Sequence, residues 1–336
     1  MGMVETRAPA KVNLYLGVSH ECDEQGYHLV ETVLCPLDLA DAVRVEELAS
    51  VADAESTENF AGNAGEPRIE LTCEPDPVGD ARANLAYRAA KALAERLGRT
   101  PHLRIAIEKH IPSQAGLGGG SSDAAATLRC LAELWGLAPT DAHVVEVARG
   151  LGADVPFFLY GGACLMTGRG DVFVERLGLP RVSVVLVKPP VGVSTPAAYR
   201  AFDRLGTPAL SPDELLAALR GVATPSYESL RPESASAGVS AAEPDAAAAP
   251  ADSAAARRVA QACANNLQPA ACAVEPQVGE VLAWLAEQGE GLAMPLLCGS
   301  GACCVLFVVD DEAARAVAGR ACARGLWAQV THTVAS

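Results

Sequence analysis

Apolar and polar positions along the chain change period several times, and each change marks an element. Alternation at Val43 and Val45, and again at Leu103, Ile105 and Ile107, predicts strands with one buried face. Leu85, Ala89, Leu93 and Leu97 recur at helical spacing, as do Val144, Val147, Ala148 and Leu151, and later Val278, Val281, Leu282 and Leu285. Each set predicts an amphipathic helix. Runs at 182–187 and 303–309, apolar but for Ser183, predict buried strands. In Lys11-Val-Asn-Leu-Tyr-Leu16, Val12, Leu14 and Leu16 are expected on one face, and Lys11, Asn13 and Tyr15 on the other. Strands and helices in this mixed order predict an α+β fold.

Two stretches break the periodicity. Residues 49–67 are acidic and small, and residues 232–256 are Ala, Ser, Pro and Glu with almost no large apolar groups. Neither can bury enough surface to offset ordering, so both are expected as surface insertions, the second alternatively as a short Ala-rich helix. The uncharged run 291–309 has the length of a membrane span, but Pro295, Gly299, Ser300 and Gly301 interrupt it. It reads as a loop, a glycine turn and a buried strand.

Composition then narrows the classes. A chain of 336 residues with 50% hydrophobic content can bury a large core and suggests two domains. A formal charge of −15 argues against general nucleic-acid or membrane-surface binding, which use broad basic surfaces. The eleven cysteines are scattered without C-x-x-C spacing, which favours free thiols and a cytoplasmic setting. The six histidines form no zinc-type cluster.

The densest chemical signal is Ile111-Pro-Ser-Gln-Ala-Gly-Leu-Gly-Gly-Gly-Ser-Ser-Asp-Ala-Ala-Ala126, where a strand gives way to a glycine-rich loop and then a helix. The helix follows from Ala124, Leu128, Leu131 and Trp135, with Ser121 or Ser122 as its expected cap. Gly116, Gly118, Gly119 and Gly120 can turn backbone N–H groups onto an anion, at a helix start that already favours one. A nucleotide polyphosphate is the expected ligand. The loop lacks the lysine of a Walker A sequence and the spacing of G-x-G-x-x-G. A serine-capped turn is the plainer alternative.

This stretch resembles the phosphate-binding motif of the GHMP kinase superfamily. Residues 8–17, Ala-Pro-Ala-Lys-Val-Asn-Leu-Tyr-Leu-Gly, resemble its first motif, and residues 297–305, Leu-Cys-Gly-Ser-Gly-Ala-Cys-Cys-Val, its third. Gly26-Tyr-His28, Gly152-Ala-Asp-Val-Pro-Phe-Phe158 and Ser194-Thr-Pro196 are similar to the branch that phosphorylates a cytidine-diphosphate-linked polyol in isoprenoid precursor synthesis. The resemblance implies a two-lobed fold with its site in the cleft. An ATP-binding lobe would span 1–176 and a substrate lobe 177–336.

It also implies roles. Asp154 corresponds to the catalytic aspartate and Lys11 to the lysine that orients it, where the residues alone favour a turn former and a solvated strand lysine. Ala115, Gly116, Leu117, Gly118, Gly119, Gly120, Ser121 and Ser122 would hold the ATP phosphates. Asn84 and Lys109 would reach the adenosine, with Ala83 standing where the family often has Asp. Tyr27 and His28, with Tyr199 opposite, would hold cytosine, although Gly-Tyr-His is also a plain turn with a packed tyrosine. Asn13 and Thr195 are candidates for the diphosphate or polyol. Mg²⁺ would accompany ATP; no carboxylate pair is evident for it, and Ser122 is a possible ligand. Another small-molecule kinase of the superfamily, and a catalytically silent nucleotide-binding regulator, are the competing readings.

Overall fold

The computed structural model describes residues 2–48, 68–75, 80–220, 222 and 253–334. The stretch 49–67 and residues 232–252 lie outside them. β1 (Gly2–Cys22) and β2 (His28–Leu48) form a long antiparallel ribbon. β3 (Arg68–Glu74), α1 (Leu85–Arg96), β4 (His102–Glu108), α2 (Gly119–Leu134), α3 (Ala142–Leu151), the single-turn α4 (Phe157–Tyr160), β5 (Ala163–Thr167) and β6 (Val172–Leu177) follow. The chain continues with β7 (Ser183–Lys188), α5 (Thr195–Leu205), α6 (Asp213–Arg220), α7 (Ser253–Gln261), β8 (Ala264–Asn265) and α8 (Gln268–Val274). It closes with α9 (Pro276–Ala286), β9 (Leu296–Leu297), β10 (Cys304–Val308), α10 (Asp311–Ala323) and β11 (Trp327–His332).

One sheet runs β3-β4-β2-β1-β8, with β5 on β2 and β6 on β5; the second runs β11-β7-β10-β9. The burial pattern explains their stacking. Val43, Val45 and Ile105 meet Leu93, Leu128, Leu131 and Val144, so α1, α2 and α3 cover the outer face of the first sheet. Val12, Leu14 and Leu37 meet Val184, Leu186, Val305 and Phe307 of the second sheet. The alternate residues Val185, Val187 and Leu306 turn the other way, onto Val278, Val281 and Val317 of α9 and α10. β7 and β10 are therefore buried on both faces, which is why their sequences run apolar without alternation.

Two expectations are corrected. Tyr15 packs with Val12 and Leu14 rather than beside Lys11 and Asn13, because a register shift between Asn13 and Tyr15 breaks the alternation of β1. Residues 253–256, expected within an insertion, open α7, whose Ala256, Val259 and Ala260 are buried against the second core. The predicted helices over 85–97, 144–151 and 278–285 and the strands at 103–107 and 303–309 match α1, α3, α9, β4 and β10 within a few residues. Among the described residues no helix is long and apolar enough to cross a membrane.

Candidate active site

The glycine-rich loop between β4 and α2 is built from its carbonyls outward. Ala115, Leu117 and Gly118 give their carbonyl oxygens to the amides of Cys303, Lys11 and Ser122 at 3.0, 2.9 and 2.8 Å. Helix α2 begins at Gly119 behind Gly118, which sits at φ 72° with no side-chain cap. Neither Ser121 nor Ser122 caps the helix, contrary to expectation, since both already lie in its first turn. The amides of Gly119, Gly120 and Ser121 are left without intrahelical partners, at the positive end of the helix dipole. That arrangement suits an anion.

Two of the glycines have no substitute. Gly116 has φ 76°, and a Cβ there would lie 2.3 Å from the Cys298 carbonyl oxygen. At Gly118 a Cβ would press on Lys11 and Phe158 at 3.0 and 3.2 Å. Gly116→Ala is expected to lower stability by about 2 kcal/mol or more, from left-handed strain plus the clash, and to raise the KM for ATP. Gly120→Ala, whose nearest contact would be 3.8 Å away, leaves stability unchanged. Urea titration of the two variants checks this contrast.

Lys11 projects from β1 into this corner and is only 3% exposed. A buried ammonium is costly unless it is paired. Its Nζ donates to Asn13 Oδ1 at 2.9 Å and stands 3.5 Å from Asp154 Oδ2. The Asn13 amide is itself oriented: Thr32 spends its hydroxyl proton on the Tyr15 carbonyl at 2.6 Å, so its oxygen accepts from Asn13 Nδ2 at 2.8 Å. One Asn13 N–H remains for a ligand. Asp154 lies in the turn before α4, where buried Val155, Phe157 and Phe158 fix the backbone, while its own side chain is 38% exposed to the cleft.

The third glycine motif closes the corner from the second sheet. Asn265 of β8, buried beside β1, donates to the carbonyls of Leu297 and Gly299 at 2.9 and 2.8 Å. Gly299 then comes so close to the pair that a Cβ would lie 3.3 Å from Lys11 Nζ. Thr195, the first residue of α5, hydrogen-bonds Ser300 at 2.8 Å. A phosphate cradle, a lysine–aspartate pair and the third glycine motif thus meet at one point.

The family described as the N-terminal domain of GHMP kinases matches residues 84–162. A 4-diphosphocytidyl-2-C-methyl-D-erythritol kinase from Salinispora tropica is 35% identical over 94% of this chain and 87% of its own length. The chain belongs to the family of 4-diphosphocytidyl-2-C-methyl-D-erythritol kinases. A relative of the same name from Geobacillus thermodenitrificans is 41% identical over 59% of this chain and 62% of its own length. A crystal structure of 4-(cytidine 5'-diphospho)-2C-methyl-D-erythritol kinase superposes with a TM-score of 0.69 at 31% identity, covering 98% of this chain and 100% of that one.

In this kinase the expected adenosine residues flank the loop, but both are engaged by the protein. Asn84 caps α1, accepting from the Ala86 amide at 2.8 Å, and the following Leu85 faces Gly120. Lys109 lies beside Gly119 and pairs with Asp41 and Asp123. Burial draws the Lys109 ammonium down, but the two carboxylates outweigh it and leave it raised. Burial also pushes Asp123 up, to about 7, with Asp41 adding to it against the pull of Lys109. Sequence reading missed both aspartates. Asp41 accepts the amides of His110 and Ile111 at 2.5 and 2.8 Å and so fixes the chain where it enters the loop.

The substrate candidates lie further along the cleft. Tyr27 is 57% exposed, with the Arg169 guanidinium 4.1 Å from its ring centroid. The His28 and Tyr199 rings are 5.4 Å apart and tilted by 37°. Burial, and secondarily the Asp154 charge, pushes the Tyr199 hydroxyl up to about 12. Arg169 and Asn265 also escaped the sequence reading. A lone arginine in a glycine turn and a buried asparagine carry no local signal; only their tertiary partners reveal them.

Proposed function

We propose that the protein transfers the γ-phosphoryl group of ATP to the 2-hydroxyl of 4-diphosphocytidyl-2-C-methyl-D-erythritol, on the non-mevalonate route to isoprenoid precursors. The observation that carries this reading is the Lys11–Asp154 pair, 3.5 Å apart, beside the uncapped start of α2. ATP phosphates would lie on the amides of the loop and the first turn of α2. The substrate hydroxyl would sit against Asp154, which is open to the cleft.

The hydroxyl oxygen attacks the γ-phosphorus, the bond to the β-phosphate oxygen breaks, and ADP leaves. Asp154 takes up the hydroxyl proton and aims the oxygen. Lys11 holds Asp154 in place and offsets negative charge developing on the phosphoryl oxygens. Asn13 holds the ammonium in turn. Positioning of the two substrates supplies most of the rate.

Magnesium fits this corner as part of Mg-ATP. Ser122 Oγ and Asp123 Oδ1 are buried without hydrogen-bond partners, and oxygen donors suit this hard cation. These two residues would hold it, and its bound charge would neutralise phosphate oxygens. Among the described residues no group of three or more His, Cys, Asp or Glu could hold a metal alone. The eleven free thiols favour a reducing, cytoplasmic setting.

Tyr27 would stack on the cytosine, with Arg169 behind its other face. Tyr27→Ala is expected to raise the acceptor KM about 10-fold, a typical loss for one base–aromatic stack, with the KM for ATP unchanged. An unchanged acceptor KM removes the stack. The reading as a whole is tested by ADP release from Mg-ATP with the cytidyl acceptor, mevalonate, homoserine or galactose. Turnover with the cytidyl acceptor alone supports it, turnover with another acceptor reassigns the substrate, and ATP binding without turnover points to a silent regulator.

A further inference from the structure

We propose that Asp203 is a positioning residue for the nucleobase end of the substrate: its carboxylate latches the His28 ring, and with it the β1–β2 hairpin, to the helix that carries Tyr199. The proposal rests on the cytidine-diphosphate reading above. Asp203 lies on α5 one turn beyond Tyr199, and these two residues are one helical step apart on the same face.

The ring of His28 has no edge free. Its Nδ1 is 2.7 Å from the Ser19 carbonyl oxygen, an acceptor, so Nδ1 carries a proton and donates. Its Nε2 stands 3.3 Å from Asp203 Oδ1, an ion-pair contact that the imidazolium form makes, with both ring nitrogens protonated. One imidazole thus ties three segments together: the end of β1 through Ser19, the start of β2 through its own backbone, and α5 through Asp203. The resemblance implies that His28 holds cytosine; this placement gives its ring a second part. The ring is a spacer, 13% exposed at its side chain, that sets where Tyr199 stands relative to the hairpin bearing Tyr27.

Neighbouring contacts point the same way. His20 stacks on Phe202 with ring centroids 4.7 Å apart and brings its Nδ1 to 3.9 Å from the same Asp203 oxygen. The edge of Phe202 meets His28 at 5.9 Å. Below them Leu16, Val18, Val30, Ala198 and Phe202 form a separate small core, so α5 rests on the hairpin through apolar contacts that alone permit sliding. The Asp203–His28 ion pair adds a charged tie across this seam that limits the slide. The other end of α5 is tied at Thr195 to Ser300 of the reacting corner. The latch therefore sets the distance from nucleobase to transferred group.

Steady-state kinetics of Asp203→Ala and Asp203→Asn, varying the cytidyl acceptor and ATP separately, test the latch. Asp203→Ala should raise the acceptor KM about 5-fold, the loss of one partly exposed ion pair, with kcat and the KM for ATP within about 2-fold of wild type. Asp203→Asn, whose amide can accept from or donate to Nε2, should restore the acceptor KM. An unchanged acceptor KM in Asp203→Ala, an equal rise in both KM values, or failure of Asn to rescue overturns the proposal. A wild-type protein inert toward the cytidyl acceptor defeats the functional reading instead. In that event the ¹⁵N shifts of the His28 ring still decide the latch: they should move in Asp203→Ala, and no movement refutes the contact.

Discussion

Replacing Asp154 with Asn lowers kcat at least ~10²-fold while leaving the KM for ATP within about 2-fold of wild type. The charge partner of Asp154 is Lys11 at 3.5 Å, and its side chain is 38% exposed on the side where the acceptor would lie. The amide keeps the shape and can still contact Lys11 through its oxygen. It cannot take a proton, and it withdraws the charge that aims the acceptor hydroxyl. Stability should fall as well, because Asn leaves the buried Lys11 ammonium without its counter-charge, with only the Asn13 oxygen and the new amide oxygen to offset it. Thermal unfolding beside steady-state kinetics separates the two effects. A kcat near wild type removes Asp154 from the mechanism.

Lys11→Met should cost as much or more, about 10²–10³-fold in kcat. Methionine retains most of the aliphatic stem that packs under Gly118, so the loop keeps its shape. The ammonium is lost, which frees Asp154 and removes the charge facing the transferred phosphoryl group. It also strands Asn13 Oδ1, buried beside it, so a stability loss of about 1–3 kcal/mol should accompany the kinetic one. Lys11→Arg should not rescue, since Gly299 and Gly118 leave no room for a guanidinium. A double variant with Asp154→Asn should lose less than the sum of the single losses, because the pair acts as one unit. Full additivity would show that the two act separately.

The parts of this site legible in the sequence are those whose chemistry is local. Four glycines between a strand and an apolar helix announce a cradle, because backbone freedom and the helix dipole are properties of a short segment. The helices on the first sheet were equally legible, since Ala89, Leu93, Leu128 and Leu131 bury one face each. Lys11 was legible only by resemblance; a lone strand lysine reads as solvated, and its burial depends on Gly118 and Gly299, which arrive from distant parts of the chain. The cap of α2 was misread because Gly118 takes a left-handed conformation that places both serines inside the helix. Tyr15 was misplaced by a register shift that no periodicity reveals. Asp41, Asp203 and Asn265 were passed over for one shared reason: each acts through a partner far away in sequence, at His110 and Ile111, His28, and Leu297 and Gly299.

The most direct test of the central claim is the fate of the γ-phosphate. The purified protein is incubated with magnesium, ATP labelled in its γ-phosphate and 4-diphosphocytidyl-2-C-methyl-D-erythritol, and the product is analysed by phosphorus and carbon NMR. The account predicts label on the 2-hydroxyl oxygen of the acceptor, formed by the wild type and lost in Asp154→Asn. Label released as free phosphate, carried on another hydroxyl, or transferred equally well by Asp154→Asn would contradict it.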